Sequence, residues 1–232
     1  MSSIFNSRTE LNTAVAAWIA DEAAATSTYG DINTWDVSNI HNFSGLFKNK
    51  ISFNSNIGNW DVSNGTDFSS MFFGASSFNQ DIGNWNVSNG INFGDMFQQA
   101  ALFNQDIGSW DMSNGRNFHG MFYLATSFNK DIGSWDVSNG INFEHMFLGS
   151  NLFNQDISSW DVSNGRDFSA MFNAASSFDQ DLRSWDVSSG VLFYEMFYKA
   201  EVFNQDISYW NVSSGVNFNL MFYDSAMNSN GW

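Results

Sequence analysis

Cysteine and proline are both absent from the 232-residue chain. Without cysteine, the chain can form no disulfide, no thiolate metal site and no cysteine nucleophile. Basic residues are scarce, because 8 Lys and Arg stand against 24 Asp and Glu and leave a formal net charge of −16. Nucleic acid and anionic membrane surfaces are both bound mainly through Lys and Arg. The composition therefore disfavours both as partners.

Long apolar runs are absent as well. No stretch of about 18 apolar residues occurs, so the sequence predicts no membrane insertion. The N-terminus lacks a basic segment followed by an apolar core, so no signal peptide is predicted and the localisation stays open. Aromatic residues make up 18% of the chain, with 25 Phe and 10 Trp. This content argues against a disordered acidic tail.

Tryptophan recurs at a constant interval of 25 residues. A fixed period of this length indicates a solenoid, a propeller or an array, and 25 residues are too few for a four-stranded propeller blade. We therefore predict one structural domain, with a capping helix and connector over residues 1–30, an eight-coil solenoid over 31–225 and a C-terminal tail over 226–232. The repeated positions are Trp35, Trp60, Trp85, Trp110, Trp135, Trp160, Trp185 and Trp210.

Each coil contains two periodicities. Trp85 and Val87 alternate with polar residues, which predicts a short parallel strand. Phe93, Met96 and Phe97 are spaced as on one face of a helical turn. The expected fold class is therefore an α/β repeat solenoid, similar to a leucine-rich repeat, with one short parallel strand and one short helical turn in each coil. Gly90 and its equivalents lie between the two, which indicates a positive φ or a close backbone approach.

Phenylalanine forms three columns that the repeat would stack into a core. Nearly all the aromatic residues are accounted for in this way, so few remain for a ligand pocket. One column contains Phe43, Phe68, Phe93, Phe118, Phe143, Phe168, Phe193 and Phe218. Another contains Phe47, Phe72, Phe97, Phe122, Phe147, Phe172, Phe197 and Phe222. The last contains Phe53, Phe78, Phe103, Phe128, Phe153, Phe178 and Phe203.

Both ends of the chain depart from the repeat. Ser7 and Glu10 have the spacing of a capping box, which predicts a helix over residues 7–24 that covers the first coil. At the other end, Met227 and Trp232 are candidates to cover the last coil. The apolar face of the predicted helix consists of Leu11, Ala14, Val15, Trp18 and Ile19.

The run Phe-Asn-Gln-Asp-Ile-x-x-Trp-Asp-Val-Ser-Asn, followed by x-Asn-Phe-x-x-Met-Phe, resembles the bacterial-surface-protein repeat of lipoproteins and other surface proteins. The resemblance covers about residues 10–225. It implies a fold related to leucine-rich repeats and a role in surface display, adhesion or recognition on a cell or particle. This chain departs from the family pattern at Gly90 and Phe93, where the family usually has Val and often has Met.

Two acidic columns follow the same period. The functional interpretation is a row of calcium sites, because hard cations prefer carboxylate and carbonyl oxygens. The structural interpretation is that each Asp accepts hydrogen bonds from backbone N–H groups at a turn. Both interpretations stay open, and Asn56 interrupts the first column. The candidate metal residues in that column are Asp81, Asp106, Asp131, Asp156, Asp181 and Asp206.

Residues that vary between coils are the candidates for specificity, since repeat proteins bind partners through extended variable faces. The candidate partner-binding residues are Arg116, Arg166, Ile91, Ile141 and Tyr194. His119 and His145 lie about one repeat apart, with Glu144 nearby. They are either exposed, solvated side chains or a surface metal site.

No phosphate-binding loop or catalytic constellation stands out from the repeat, so we predict a protein that is not an enzyme and has no cofactor, unless calcium binds. The favoured function is recognition of a protein or glycan partner through one extended face. One alternative is a structural protein that self-associates into dimers or filaments, because the last coil has only a short tail to cover it. The other is a multi-site calcium-binding scaffold.

Overall fold

The computed structural model describes residues 3–227. Its helices lie at the N-terminal end, as α1 (Arg8–Ala20), α2 (Glu22–Tyr29) and a 3-10 helix (Ile32–Thr34). Asp21 separates the first two helices. Its backbone N–H donates to the carbonyl of Ala17 at the end of α1, and its carboxylate accepts the N–H of Ala24 at the start of α2. In the part of the chain that the structure describes, no helix is long and apolar enough to cross a membrane.

The first helix begins where the capping residues place it. The hydroxyl of Ser7 accepts the N–H of Glu10 at 3.3 Å, and the carboxylate of Glu10 accepts the N–H of Asn6 at 2.9 Å, one residue earlier than in a standard capping box. Ile19 is 37% exposed, whereas the other four residues of the predicted apolar face are buried. The structure has two helices where the sequence predicts one helix and a connector.

The repeats stack through an alternating set of backbone hydrogen bonds. In the repeat that contains Trp60, every second N–H donates to a carbonyl of the next repeat, 24 residues further along the chain. The donors are Phe68, Ser70, Phe72 and Gly74. The intervening N–H groups donate to the carbonyl three residues earlier in the same repeat. These donors are Met71, Phe73 and Ala75.

This pattern contradicts the predicted α/β fold class. An α-helix needs bonds from each N–H to the carbonyl four residues earlier, whereas these bonds span three residues or cross to the next repeat. In residues 3–227, parallel pairing between repeats is limited to isolated bridges, such as Asp67 with Asn92, and no sheet forms. The predicted parallel strand at residues 85–88 and the predicted helical turn after it are therefore wrong, and so is the similarity to a leucine-rich repeat.

Left-handed backbone explains why the apolar spacing does not produce a helix. Ser70 has a φ of 54° and Gly74 a φ of 67°, and the same two positions are left-handed in the other repeats. A residue with positive φ interrupts a right-handed helix, and the cost is about 1–2 kcal/mol for a residue with a Cβ. Only some of these positions hold glycine. The others hold Asn49, Ser70, Asp95, Gln99, Leu124, His145, Ala170, Ala174, Glu195, Lys199, Leu220 and Asp224.

Aromatic side chains form the core as the columns predict. Phe68 and Phe93, in successive repeats, stack with ring centroids 5.5 Å apart. Trp85 and Trp110 stack at 6.5 Å, and their planes differ by 3°. The indole N–H of Trp85 also donates to the carbonyl of Ile57 at 3.1 Å. The rings therefore fix both the spacing and the register between repeats.

The glycine column reflects a close approach and not a left-handed backbone. Gly90 has no positive φ, but a Cβ at this position would overlap the ring of Phe93 and lie 2.9 Å from the carbonyl oxygen of Val87. Glycine is therefore required so that the buried Phe ring can fold back over the preceding turn.

Gln99 offers a test of the left-handed positions, because its side chain is exposed and its φ is 58°. We expect Gln99→Gly to raise the free energy of unfolding by up to about 1 kcal/mol, since the relieved backbone strain exceeds the added flexibility of glycine. The control, Gln98→Gly, lies at a position without positive φ and should lower stability by about 0.5–1 kcal/mol. Chemical denaturation measures both. Equal destabilisation of the two variants would contradict the assignment.

Candidate functional site

Arg116, Ile141 and Arg166 form part of a continuous outer row. The N–H of Arg116 donates to the carbonyl of Ile91 at 2.9 Å, and the same bond at the same distance joins Ile141 to Arg116 and Arg166 to Ile141. These bonds place the equivalent side chains of successive repeats in one line along the stack. The side chains of Ile91, Arg116, Ile141 and Arg166 are all exposed. The structure therefore brings together four of the five candidate partner-binding residues.

A shallow depression of about 230 Å³ lies along this row. Arg116, Ile141 and Arg166 line it together with Asn139 and Asn164. The side-chain amide of Asn164 donates to the carbonyl of Ser138 at 2.8 Å, which holds it against the preceding repeat. The two asparagines were not predicted from the sequence, although their place before the glycine column marks them as members of a repeated set.

The guanidinium groups of Arg116 and Arg166 form no ion pair and no hydrogen bond with any residue between 3 and 227. Arg183, by contrast, pairs with Asp181 at 3.1 Å. In a chain with a net charge of −16, these two guanidinium groups beside an exposed Ile141 therefore keep positive charges that no described residue pairs with.

Tyr194 lies at another position of the repeat, three residues beyond the row that contains Val191. Its side chain is 37% exposed. The hydrogen bond with Glu195 raises the pKa of Tyr194 above its ordinary value, because it favours the protonated hydroxyl. Because it lies at this other position, Tyr194 is not among the residues that line the depression.

The first acidic column caps turns. The carboxylate of Asp81 accepts the N–H of Gly83 at 2.9 Å, two residues further along the chain. The five equivalent bonds measure 2.9–3.0 Å and are accepted by Asp106, Asp131, Asp156, Asp181 and Asp206. Asn56 accepts the same bond from Gly58. This geometry matches the structural interpretation of the column, and calcium binding stays a prediction.

The second acidic column has the same geometry. It contains Asp36, Asp61, Asp111, Asp136, Asp161 and Asp186, and it is interrupted by Asn86 and Asn211. The carboxylate of Asp136 accepts the N–H of Ser138 at 3.0 Å. Hydrogen bonds from the hydroxyl and the N–H of Ser138 lower the pKa of Asp136. Asn86 accepts the equivalent N–H at 3.1 Å. An amide oxygen therefore replaces the carboxylate within the chain itself, so the turn requires an acceptor and does not require a charge.

Asp136 tests this conclusion. We expect Asp136→Ala to lower the free energy of unfolding by about 1 kcal/mol, the net value of a lost hydrogen bond. Asp136→Asn retains the acceptor, so it should change stability by less than half of that amount. Calorimetric melting measures both variants, with and without added Ca²⁺. The turn-capping role would be contradicted if Asp136→Asn lowered the free energy of unfolding as much as Asp136→Ala does.

The lowered pKa adds a pH signature. A carboxyl whose folded pKa is depressed stabilises the fold above its unfolded pKa, about 3.9, and loses this contribution as the pH falls through the folded value. The stability difference between the wild type and Asp136→Ala should therefore shrink below about pH 4. A difference that grows on acidification would contradict the cause assigned to the shift.

One group of side chains has the composition of a metal site. His119, Glu144 and His145 each place a ligand atom within 4.8 Å of the others. Among residues 3–227, this is the only such group of three or more His, Asp or Glu residues. The register of the repeat predicted that these side chains are neighbours.

The fold and these surfaces define a repeat protein whose 25-residue units stack on a common aromatic core. The chain belongs to the family described as "Mycoplasma protein of unknown function, DUF285", whose model matches residues 20–133 and again residues 116–232. Each match spans several repeats. The predicted resemblance to a bacterial repeat family is thus confirmed at this coarser level. No curated protein and no solved structure matches the chain.

Proposed function

We propose that this chain is a non-enzymatic recognition protein, and that its outer row around Arg116, Ile141 and Arg166 binds a ligand with two anionic groups. The observation that carries the proposal is the pair of exposed guanidinium groups on either side of Ile141, neither of which forms an ion pair with a residue from 3 to 227. Charged side chains that stay unpaired in a strongly acidic protein are available to a partner.

The spacing of the row defines the ligand more closely. Parallel backbone segments stack about 4.8 Å apart, so Arg116 and Arg166, two repeats apart, present their charges about 10 Å apart. A guanidinium group binds a carboxylate or a sulfate through two parallel hydrogen bonds. Ile141, 40% exposed, supplies an apolar contact between them. Acidic glycans and acidic peptide segments of proteins both present carboxylate or sulfate groups that could meet the two guanidinium groups.

The surface of a cell or particle is the proposed setting. The resemblance to bacterial-surface-protein repeats is its only support, since the matched family is described as of unknown function. The continuous row from Thr66 to Val216 fits display, because an extended face can contact a long ligand at several repeats.

An array of acidic glycans and acidic peptides, probed at physiological salt, tests the proposal. The wild type should bind one of the two classes. Arg116→Ala and Arg166→Ala should each weaken binding about tenfold or more, because each removes a charge-assisted hydrogen bond of roughly 1.5–3 kcal/mol. Arg183→Ala is the matched control, since its guanidinium group pairs with Asp181, and it should bind as the wild type does.

Two results would contradict recognition by this row. In one, the wild type binds neither class of ligand. In the other, all three arginine variants bind equally well, which would place the contact elsewhere. Thermal melting of each variant confirms that the fold is retained.

Self-association through the last repeat is a second candidate, favoured by the exposure of that repeat. Phe218 is 39% exposed, whereas its equivalent Phe193 is fully buried. Trp210, Phe218 and Phe222 help to line an apolar depression of about 260 Å³. The N–H groups of Phe218 and Leu220 donate to no acceptor in residues 3–227, although the equivalent groups of earlier repeats donate to the next repeat.

A second copy of this chain is the proposed occupant. The first repeat is covered by α1, where the indole N–H of Trp18 donates to Ser55 at 2.9 Å. A second copy therefore offers its own last repeat and not its first, which predicts a symmetric tail-to-tail dimer. The exposed face contains backbone donors, such as Phe218, and apolar side chains, such as Val216, that such a dimer would cover.

Light scattering over a range of concentrations tests this dimer. Val216, 73% exposed, lies on the last repeat, and Val216→Lys should convert a concentration-dependent dimer into a monomer. Ile51→Lys is the matched control, because Ile51 is 66% exposed in the first repeat. It should leave the dimer intact. A wild type that stays monomeric at every concentration would refute the dimer.

A further inference from the structure

We propose that His119, Glu144 and His145 form a binding site for a divalent transition metal of the zinc class. Their side chains come from two adjacent repeats in the middle of the stack. The relative exposures of the three side chains are 32%, 32% and 34%, so a metal ion reaches them directly from solvent.

The two distances from the histidines to Glu144 bracket the donor separation of a tetrahedral site. His119 Nδ1 lies 3.0 Å from one carboxylate oxygen of Glu144, and His145 Nδ1 lies 3.9 Å from the other. Ligands about 2.0–2.1 Å from a tetrahedral zinc ion lie roughly 3.3 Å from one another. Small side-chain rotations would bring the three donors to this separation, and water would complete the coordination.

Backbone hydrogen bonds fix the three ligands. The N–H of His119 donates to the side chain of Asn117 at 3.1 Å, and that of Glu144 donates to Asn142 at 2.9 Å. His145 follows Glu144 in a left-handed conformation, with a φ of 59°. Its N–H donates to the carbonyl of Ser169 in the next repeat. Because the backbone is held at each residue, little of the binding energy is needed to order the site.

Asp95 lies close to where the outer carboxylate partner of a metal-bound histidine would lie. Its carboxylate oxygen lies 3.6 Å from His119 Nε2, the ring nitrogen opposite the one that faces Glu144. A carboxylate in this position orients the imidazole and increases its basicity toward a metal on the other nitrogen. The backbone N–H of Asp95 also donates to the carbonyl of His119, which ties the two residues together.

The cluster departs from the regularity of the repeat. The two positions of Glu144 and His145 are occupied by Ser69 and Ser70 in an earlier repeat. In the next repeat they are occupied by Ser169 and Ala170. Small residues therefore satisfy the fold at these positions, so the stack does not require the imidazole and carboxylate groups.

The donor set selects the class of metal. Two imidazole nitrogens and one carboxylate suit Zn²⁺, Ni²⁺ and Cu²⁺, whereas Ca²⁺ and Mg²⁺ prefer oxygen ligands alone. The site is therefore chemically distinct from the aspartate columns. It is also independent of the recognition proposed for the arginine row.

Isothermal titration of the untagged protein with ZnCl₂ tests the site. The wild type should bind one Zn²⁺ per chain, and a large excess of Ca²⁺ should not displace it. His119→Ala, His145→Ala and Glu144→Gln should each weaken binding by tenfold or more, and Asp95→Asn by about tenfold, the scale of an outer-partner loss. His41→Ala is the matched control, because His41 lies in the first repeat, outside the cluster, and should leave the affinity unchanged.

Substitution by Co²⁺ supplies a second measurement. Intense visible absorption bands are expected from tetrahedral or five-coordinate Co²⁺ in the wild type, and these bands should be lost in His119→Ala. A wild type that binds no Zn²⁺ would overturn the proposal. Unchanged binding in both cluster histidine variants would overturn it as well. Thermal melting in the presence of EDTA verifies that each variant is folded before the titration.

Discussion

From Trp60 onward, the hydrogen bond from the buried tryptophan of each repeat to the preceding repeat is the constraint on which the stack depends. The ring of Trp85 is 3% exposed, so its indole N–H needs an acceptor within the protein. It donates to the carbonyl of Ile57, 28 residues earlier. The indole N–H of Trp110 donates to the carbonyl of Ile82, again 28 residues earlier. Inserting or deleting one residue between the donor and the acceptor would misalign this bond and the aromatic columns together. The 25-residue period is thus a packing requirement.

The sequence predicted which side chains are buried but not the backbone that buries them. Trp85, Val87 and Phe93 lie in the core as expected. The apolar spacing that suggests a helical turn, however, also fits a chain whose alternate N–H groups bond to the next repeat. Those bonds involve two repeats at once, so no local pattern within one repeat encodes them. Ser70 and Gln99 adopt left-handed backbone, although neither residue type marks such a position in a sequence.

The candidate sites were predictable to the extent that the repeat sets their register. Column alignment placed His119 beside Glu144, and the 3.0 Å distance from His119 Nδ1 to the Glu144 carboxylate agrees with it. The same alignment could not show that Arg116 and Arg166 form no ion pair within the described part of the chain, because pairing depends on side-chain positions around the stack. The interruptions by Asn56 and Asn86 were visible in the sequence, but turn capping and calcium binding both stayed open there. The structure shows that each amide oxygen accepts the same turn N–H as the carboxylates do, without a charge.

A scaffold made of identical units separates stability from function in an unusual way. The central repeats contribute equivalent tryptophan and phenylalanine contacts, so a departure from the repeat at an outer position leaves the core unchanged. Arg116, His119, Glu144 and Arg166 are such departures, and all of them lie in central repeats. Repeats on both sides hold their backbone through hydrogen bonds. Side chains at these positions are therefore free to serve binding, because the aromatic stack beneath them already supplies the stability.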